Sequence, residues 1–199
     1  GFKYIAWLLT ILFVVGLLYV FLKPAISISI QPFGEVKEYH INNVSEALKE
    51  QYHAQVIVLP AIEPPKQSYY KPRNRYRADS LIAFLKRGLQ KTDYVIGITE
   101  KDISTTKGQH HDWGVFGLGY RPGKSCIVST YRLKKADQHL IKARMQKVAV
   151  HEIGHNLGLP HCINDSLCVM NDACGTLKEV DSNNKTICKL CKIKSFYKY

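Results

Sequence analysis

The sequence predicts an α/β domain with a twisted, mixed sheet, a histidine-bearing helix below it and a small cysteine-stapled C-terminal part, preceded by one transmembrane helix. Three observations carry this. Apolar strand-like runs alternate with helical patterns from residue 25 to about residue 133. An uncharged run of 19 residues, Tyr4 to Leu22, precedes them. Six cysteines occur in the chain, and five of them lie after residue 160. With 199 residues the chain is long enough for one domain with a real core and too short for two large ones. An apolar share of 46% excludes wholesale disorder.

The N-terminal run would extend about 28 Å as a helix, close to the roughly 30 Å hydrocarbon core of a bilayer. Residues 1–24 are therefore read as a transmembrane anchor. A secretory signal peptide fits less well, because no small-residue cleavage site follows Leu22. The expectation is a single-pass membrane protein whose domain, residues 25–199, faces outward. That orientation rests only on the shortness of the leader.

Next, Ile26, Ile28 and Ile30 alternate with Ser27, Ser29 and Gln31, the period of a half-buried strand. Asn42 or Asn43 can cap a helix running through Glu50, and Gln55 to Leu59 reads as a buried strand. Pro64 to Tyr76 reads as an exposed loop. Its basic and aromatic stretch, Tyr69 to Arg77, is taken as a solvated surface rather than a nucleic-acid site, although the net charge of +12 permits anionic partners. Ala78 to Leu89 has a helical stripe of Leu81, Ile82, Leu85 and Leu89. Further strands are expected at Tyr94 to Thr99, Val115 to Tyr120 and Cys126 to Leu133, the last two flanking the turn-like Arg121-Pro122-Gly123-Lys124. Leu140, Ile141, Met145, Val148, Ala149 and Ile153 recur at helical spacing.

That last helix carries His151-Glu152-Ile153-Gly154-His155-Asn156-Leu157-Gly158-Leu159-Pro160-His161. Residues four apart share a helix face, so His151 and His155 can meet one cation with Glu152 beside them. Gly158 and Pro160 end the helix and let the chain turn His161 toward the same point. Three neutral imidazoles leave a tetrahedral zinc one open position, the arrangement of a hydrolytic site in which Glu152 acts as general base. A catalytically silent zinc-binding module that recognises nucleic acid or a protein partner is the alternative. The carboxylate at 152 speaks against it, because a structural site needs no base.

The pattern His-Glu-x-x-His-x-x-Gly-x-x-His resembles the metzincin clan of zinc peptidases, in which a methionine in a tight turn lies beneath the metal. Met170 is the only methionine after the motif. Cys162 directly after His161, then Cys168, Met170 and the Cys188/Cys191 pair make the order similar to the archaemetzincin family. The resemblance implies a metzincin-like fold, a peptide or protein substrate, and two zinc ions. One would be held by His151, His155 and His161, and a second, structural one by Cys162, Cys168, Cys188 and Cys191. Five residues separate Cys162 from Cys168 where the family pattern has four, and Cys174 is an additional thiol that competes for the set. A pair of disulfides is the other reading of these cysteines. Cys126 reads as a small buried apolar residue. Either strand before the motif helix can line the cleft and hold substrate in extended form.

Overall fold

The computed structural model describes Tyr4, Trp7 and residues 26–88, 92–134, 137–172 and 175–196. Its main sheet has five strands: β1 (Ser27–Phe33), β2 (Gln55–Val58), β5 (Tyr94–Thr99), β8 (Gly117–Gly119) and β9 (Ser125–Ser129), in the order β2-β1-β5-β9-β8. The first four in that order run parallel, and β8 pairs antiparallel with β9 at the edge. The expected mixed sheet is present.

Helices cover both faces. Helices α1 (Glu38–Tyr52) and α3 (Gln138–Asn156) pack Val44, Leu48, Met145, Ala149 and Ile153 against Ile28, Ile30, Ile96 and Val128. On the other face α2 (Ala78–Arg87) packs Leu81, Ile82 and Leu85 against Val95 and Ile127. The Ile/Ser alternation of β1 therefore does not mark a half-exposed strand. Both faces are covered, and the polar residues are satisfied internally: Ser29 Oγ bonds Thr92 Oγ1 at 2.8 Å, and Gln31 Nε2 donates to the Pro60 carbonyl at 2.8 Å.

A second sheet, absent from the sequence reading, has four strands in the order β3 (Tyr69–Tyr70), β4 (Arg75–Arg77), β6 (Ile103–Lys107), β7 (His110–Gly114). It takes in the end of the expected loop. Arg75, buried, pairs with Asp102 at 3.1 Å and Asp112 at 3.2 Å, so part of the basic stretch is spent on internal carboxylates. The β6–β7 hairpin is polar along its length, which hides it from an apolar-alternation search. His111 stacks on Tyr70 and His110 lies against Trp113.

The membrane-spanning element of the expected fold class needs correction. Apart from Tyr4 and Trp7, the run from 4 to 22 lies outside the described residues, and among the described residues no helix is long and apolar enough to cross a membrane. The longest, α3, has 19 residues and contains Lys142, Arg144 and Lys147. An uncharged run meets the length criterion by composition alone, whether or not it is built as one continuous helix.

The C-terminal part, α4 (Leu177–Ser182) and α5 (Lys189–Phe196), is fastened to α3 by Arg144. This guanidinium, 6% exposed, donates to both carboxylate oxygens of Asp181 at 2.7 and 2.6 Å. The bond holds the Asp181 carboxyl below its ordinary range. Asp181→Asn is expected to cost about 3 kcal/mol, since it leaves a buried guanidinium without its counter-charge. The sign follows from linkage: a carboxylate with a depressed folded pKa stabilises above the unfolded value near about 3.9, and that stability is lost as pH falls through the folded value. Urea unfolding should show the gap between wild type and variant closing as pH falls below the unfolded carboxyl value of about 3.9.

Candidate active site

The motif helix opens with Asp137, whose carboxylate accepts the Leu140 N–H at 2.9 Å, and closes at Gly158, which takes φ 84°. That left-handed residue is what a side chain resists, and it reverses the chain so that Pro160 and His161 swing back over the helix. His151 and His155 present their rings together, with centroids 4.5 Å apart, and His155 Nε2 lies 3.2 Å from His161 Nε2. One ring nitrogen from each of His151, His155 and His161 falls within 4.8 Å of the other two. The far nitrogens of two rings are tied back. His151 Nδ1 meets the Val169 carbonyl and His155 Nδ1 the Leu159 carbonyl, both at 2.8 Å, which fixes the tautomer and aims the other nitrogen inward. Burial, reinforced by the neighbouring imidazoles, holds His151 down at about 3, so the ring is neutral and its lone pair free.

Glu152 sits one residue along, 8% exposed, between α3 and the edge strand β8. Burial pushes its carboxyl up to about 8, opposed by a hydrogen bond from the Gly119 N–H. The approach is close: a Cβ at position 119 would lie 2.7 Å from the Glu152 backbone oxygen and 3.1 Å from its Oε2. Gly119→Ala is therefore expected to push β8 off the helix, lowering stability by about 1–3 kcal/mol and kcat/KM with it. Thermal melts and peptide hydrolysis on the same samples check both.

Met170, fully buried, lies beneath the helix against Gly154. Its carbonyl accepts the Cys162 N–H at 2.8 Å. The thiols of Cys162, Cys168, Cys188 and Cys191 gather within 4.8 Å of one another. None is in a disulfide, and the Cys162 and Cys188 sulfurs are 3.8 Å apart against about 2.05 Å for an S–S bond. Amide donors point at these sulfurs. The Cys188 N–H bonds Cys168 Sγ at 3.2 Å. Burial raises the Cys162 thiol, but the amides of Asn164 and Asp165 and the thiols of Cys191 and Cys188 outweigh it and hold it below the ordinary value. Burial pushes Cys168 up to about 11 and raises Cys191 further. Four thiols with amide donors aimed at sulfur suit thiolates around a soft cation, and the three tethered imidazoles suit zinc. Cys126 is buried in β9, and Cys174 lies outside the described residues.

The three histidines and Glu152 line a cavity of about 490 Å³. Its walls are 114–120 on one side, Val169, Asn171, Asp172 and Val180 on the other, and the β6–β7 hairpin with Thr105, Lys107 and Trp113. Of the two candidate cleft strands, it is the one before the turn that lines the cavity. Sequence reasoning missed several residues in and around the cavity. Asp79, at the start of α2, accepts from Tyr120 Oη and Thr105 Oγ1 at 3.0 Å. Asn156 Nδ2 holds the carbonyls of Tyr120 and Ser125, bracing the turn between β8 and β9 on the helix end. Only Lys147 carried a signal, being four residues before His151 and hence on its face.

Comparison with known proteins settles the family. The profile of peptidase family M54 matches residues 11–195. The chain belongs to peptidase family M54, the archaemetzincins. As a member it is a zinc metallopeptidase. It is 33% identical to the archaemetzincin of Halobacterium salinarum over 83% of this chain and 96% of that one. The crystal structure of archaemetzincin from Archaeoglobus fulgidus, complexed with malonate, is 34% identical, covers 84% of this chain and 99% of its own, and superposes with a TM-score of 0.72. That from Methanopyrus kandleri is 28% identical, covers 86% and 94%, and gives 0.76. The archaemetzincin match begins inside the uncharged N-terminal run. The single-pass membrane placement, which rested on that run, and the membrane as a partner are both withdrawn.

Proposed function

We propose that this peptidase holds its catalytic zinc on His151, His155 and His161, uses Glu152 as general base, and keeps a second, structural zinc on Cys162, Cys168, Cys188 and Cys191. The observation that carries the reading is the convergence of three imidazole nitrogens, two of them from rings tethered through Nδ1 to backbone carbonyls. Zinc bound there supplies Lewis acidity, bringing the pKa of a water to about 7 and polarising the scissile carbonyl.

The chain's own groups do the rest. Glu152, held by the Gly119 N–H, accepts the proton of the attacking water and returns it to the leaving amine. Among the described residues strand β8 has no neighbour on its outer edge in the sheet order, so its backbone can pair with an extended substrate lying across the cavity. Met170 supports the floor under the histidines, and the tethered rings lose little order on binding metal.

Zinc content per chain, measured for wild type and His155→Ala beside a quenched-peptide assay, tests this. Two zincs falling to one, with loss of cleavage, is the expected result. One zinc that persists in the variant, with no cleavage by either protein, overturns it in favour of a zinc-stapled binding module.

A further inference from the structure

The cavity contains a cation that the reaction as described does not use. Lys147 stands one helical turn before His151 on α3 and lines the same cavity, with Val148 and Val180 as apolar neighbours. Its ammonium is held in place by two backbone carbonyls, those of Val180 at 2.8 Å and Asp181 at 3.0 Å. An ammonium has three donors, so one N–H remains after these two bonds. The nearby Asp181 carboxylate is committed to the Arg144 guanidinium through both oxygens. Among the described residues no carboxylate forms an ion pair with Lys147. The other acids of the cavity are engaged too: Asp79 by Thr105 and Tyr120, Glu152 by Gly119, and Asp172 near His161 at 3.6 Å. A positioned, half-buried cation that bonds two carbonyls and has no carboxylate in direct contact among the described residues is a site for an entering anion of small size.

Accepting the hydrolytic reading above, we infer that Lys147 forms a carboxylate-binding subsite, so that the enzyme favours peptides placing an acidic group one residue pocket away from the three histidines. The carboxylate can belong to an internal Asp or Glu side chain or to a free chain end, and the chemistry of recognition is the same. Burial draws the Lys147 ammonium below the ordinary lysine value and Asp181 opposes that fall. A substrate carboxylate adds to the opposition, and charge-assisted bonding in a partly dry pocket gives the discrimination. The +12 charge of the chain assists the approach of acidic peptides.

The test compares matched quenched peptides carrying Glu, Gln, Leu or Lys at each position around the cleaved bond. A second pair ends in a free carboxylate or an amide. Zinc-loaded wild type should prefer Glu over Gln at one position, or the free end over the amide, by about tenfold in kcat/KM. The arm that responds identifies the source. Lys147→Met should abolish the preference, and Lys147→Glu should shift it toward Lys. A uniform fall in activity with the preference intact would mean that Lys147 only pins the carbonyls of α4, and it overturns the inference. So does wild type that ignores both the Glu/Gln change and the change from free end to amide. Calorimetric binding of the same peptides to zinc-loaded Glu152→Gln, with and without Lys147→Met, separates the two readings. Acid-selective binding that depends on Lys147 supports the subsite even if wild type cleaves nothing, and unselective binding rejects it.

Discussion

Glu152→Gln is expected to lower kcat by about 10²–10⁴-fold while the zinc content stays unchanged. The amide has the shape of the carboxylate and can fill the same buried slot between α3 and β8, so the fold and the three imidazoles are left alone. What is lost is proton acceptance, since an amide oxygen is too weak a base to take a proton from water. The wild-type profile should carry the same group as its acidic limb. Burial raises the carboxyl, and activity falls as pH drops through its pKa because the protonated form accepts nothing. A cation beside it lowers that pKa below the value set by burial alone. Retained hydrolysis in the amide variant would remove Glu152 from the mechanism, and lost zinc would move it to the ligand set.

The second large effect is expected at the thiol cluster. Cys191→Ser should take the zinc content from two to one and lower stability by roughly 5 kcal/mol or more, a part of the about 10–16 kcal/mol that structural zinc supplies in small domains. The loss should spread to the histidine site, because the two sites share backbone. Cys162 follows His161 directly, its N–H bonds the Met170 carbonyl, and Asn171 Nδ2 donates to the Cys162 carbonyl at 3.1 Å. The Val169 carbonyl, adjacent to Cys168, orients His151, while the Val169 N–H bonds Thr186 in the segment leading to Cys188. Slackening the thiols therefore loosens the third histidine, the methionine floor and the tether of the first. Urea unfolding, metal analysis and peptide hydrolysis on one preparation would register all three. A variant that keeps two zincs and wild-type stability would exclude Cys191 from the ligand set.

Much of the main sheet was legible because its strands are short apolar runs bounded by Pro, Gly and polar residues, and α2 carries its stripe plainly. The motif helix was legible for a different reason. Ligand chemistry spaces two histidines by one turn and places a helix-ending glycine before the third, and that spacing survives in the sequence whatever packs around it. Helix α3 itself has little amphipathic contrast, since Arg144, Gln146, Glu152 and Asn156 are buried along with its apolar residues. The hairpin Ile103–Lys107 and His110–Gly114 was missed because its Thr, Lys, His and Asp residues give no apolar alternation, Thr106, Lys107, His110 and His111 being exposed. Only Gly108, in the left-handed region between two β-rich stretches, hinted at its turn. The uncharged N-terminal run was over-read, since hydropathy reports composition and not the element that the residues build.

By itself, then, the sequence determined the residues on which the zinc-peptidase reading rests: which imidazoles and thiols are present, at what intervals, and with which carboxylate beside them. Those are local facts of spacing along one helix and one loop. The tertiary structure alone decided what surrounds them. It buried Glu152 against Gly119, hung the hairpin over the cleft, committed Asp181 to Arg144, and left Lys147 facing the cavity on two carbonyls. These contacts join residues about 30 or more positions apart. No periodicity in a single chain records such pairings, because they arise when separate elements close on one core.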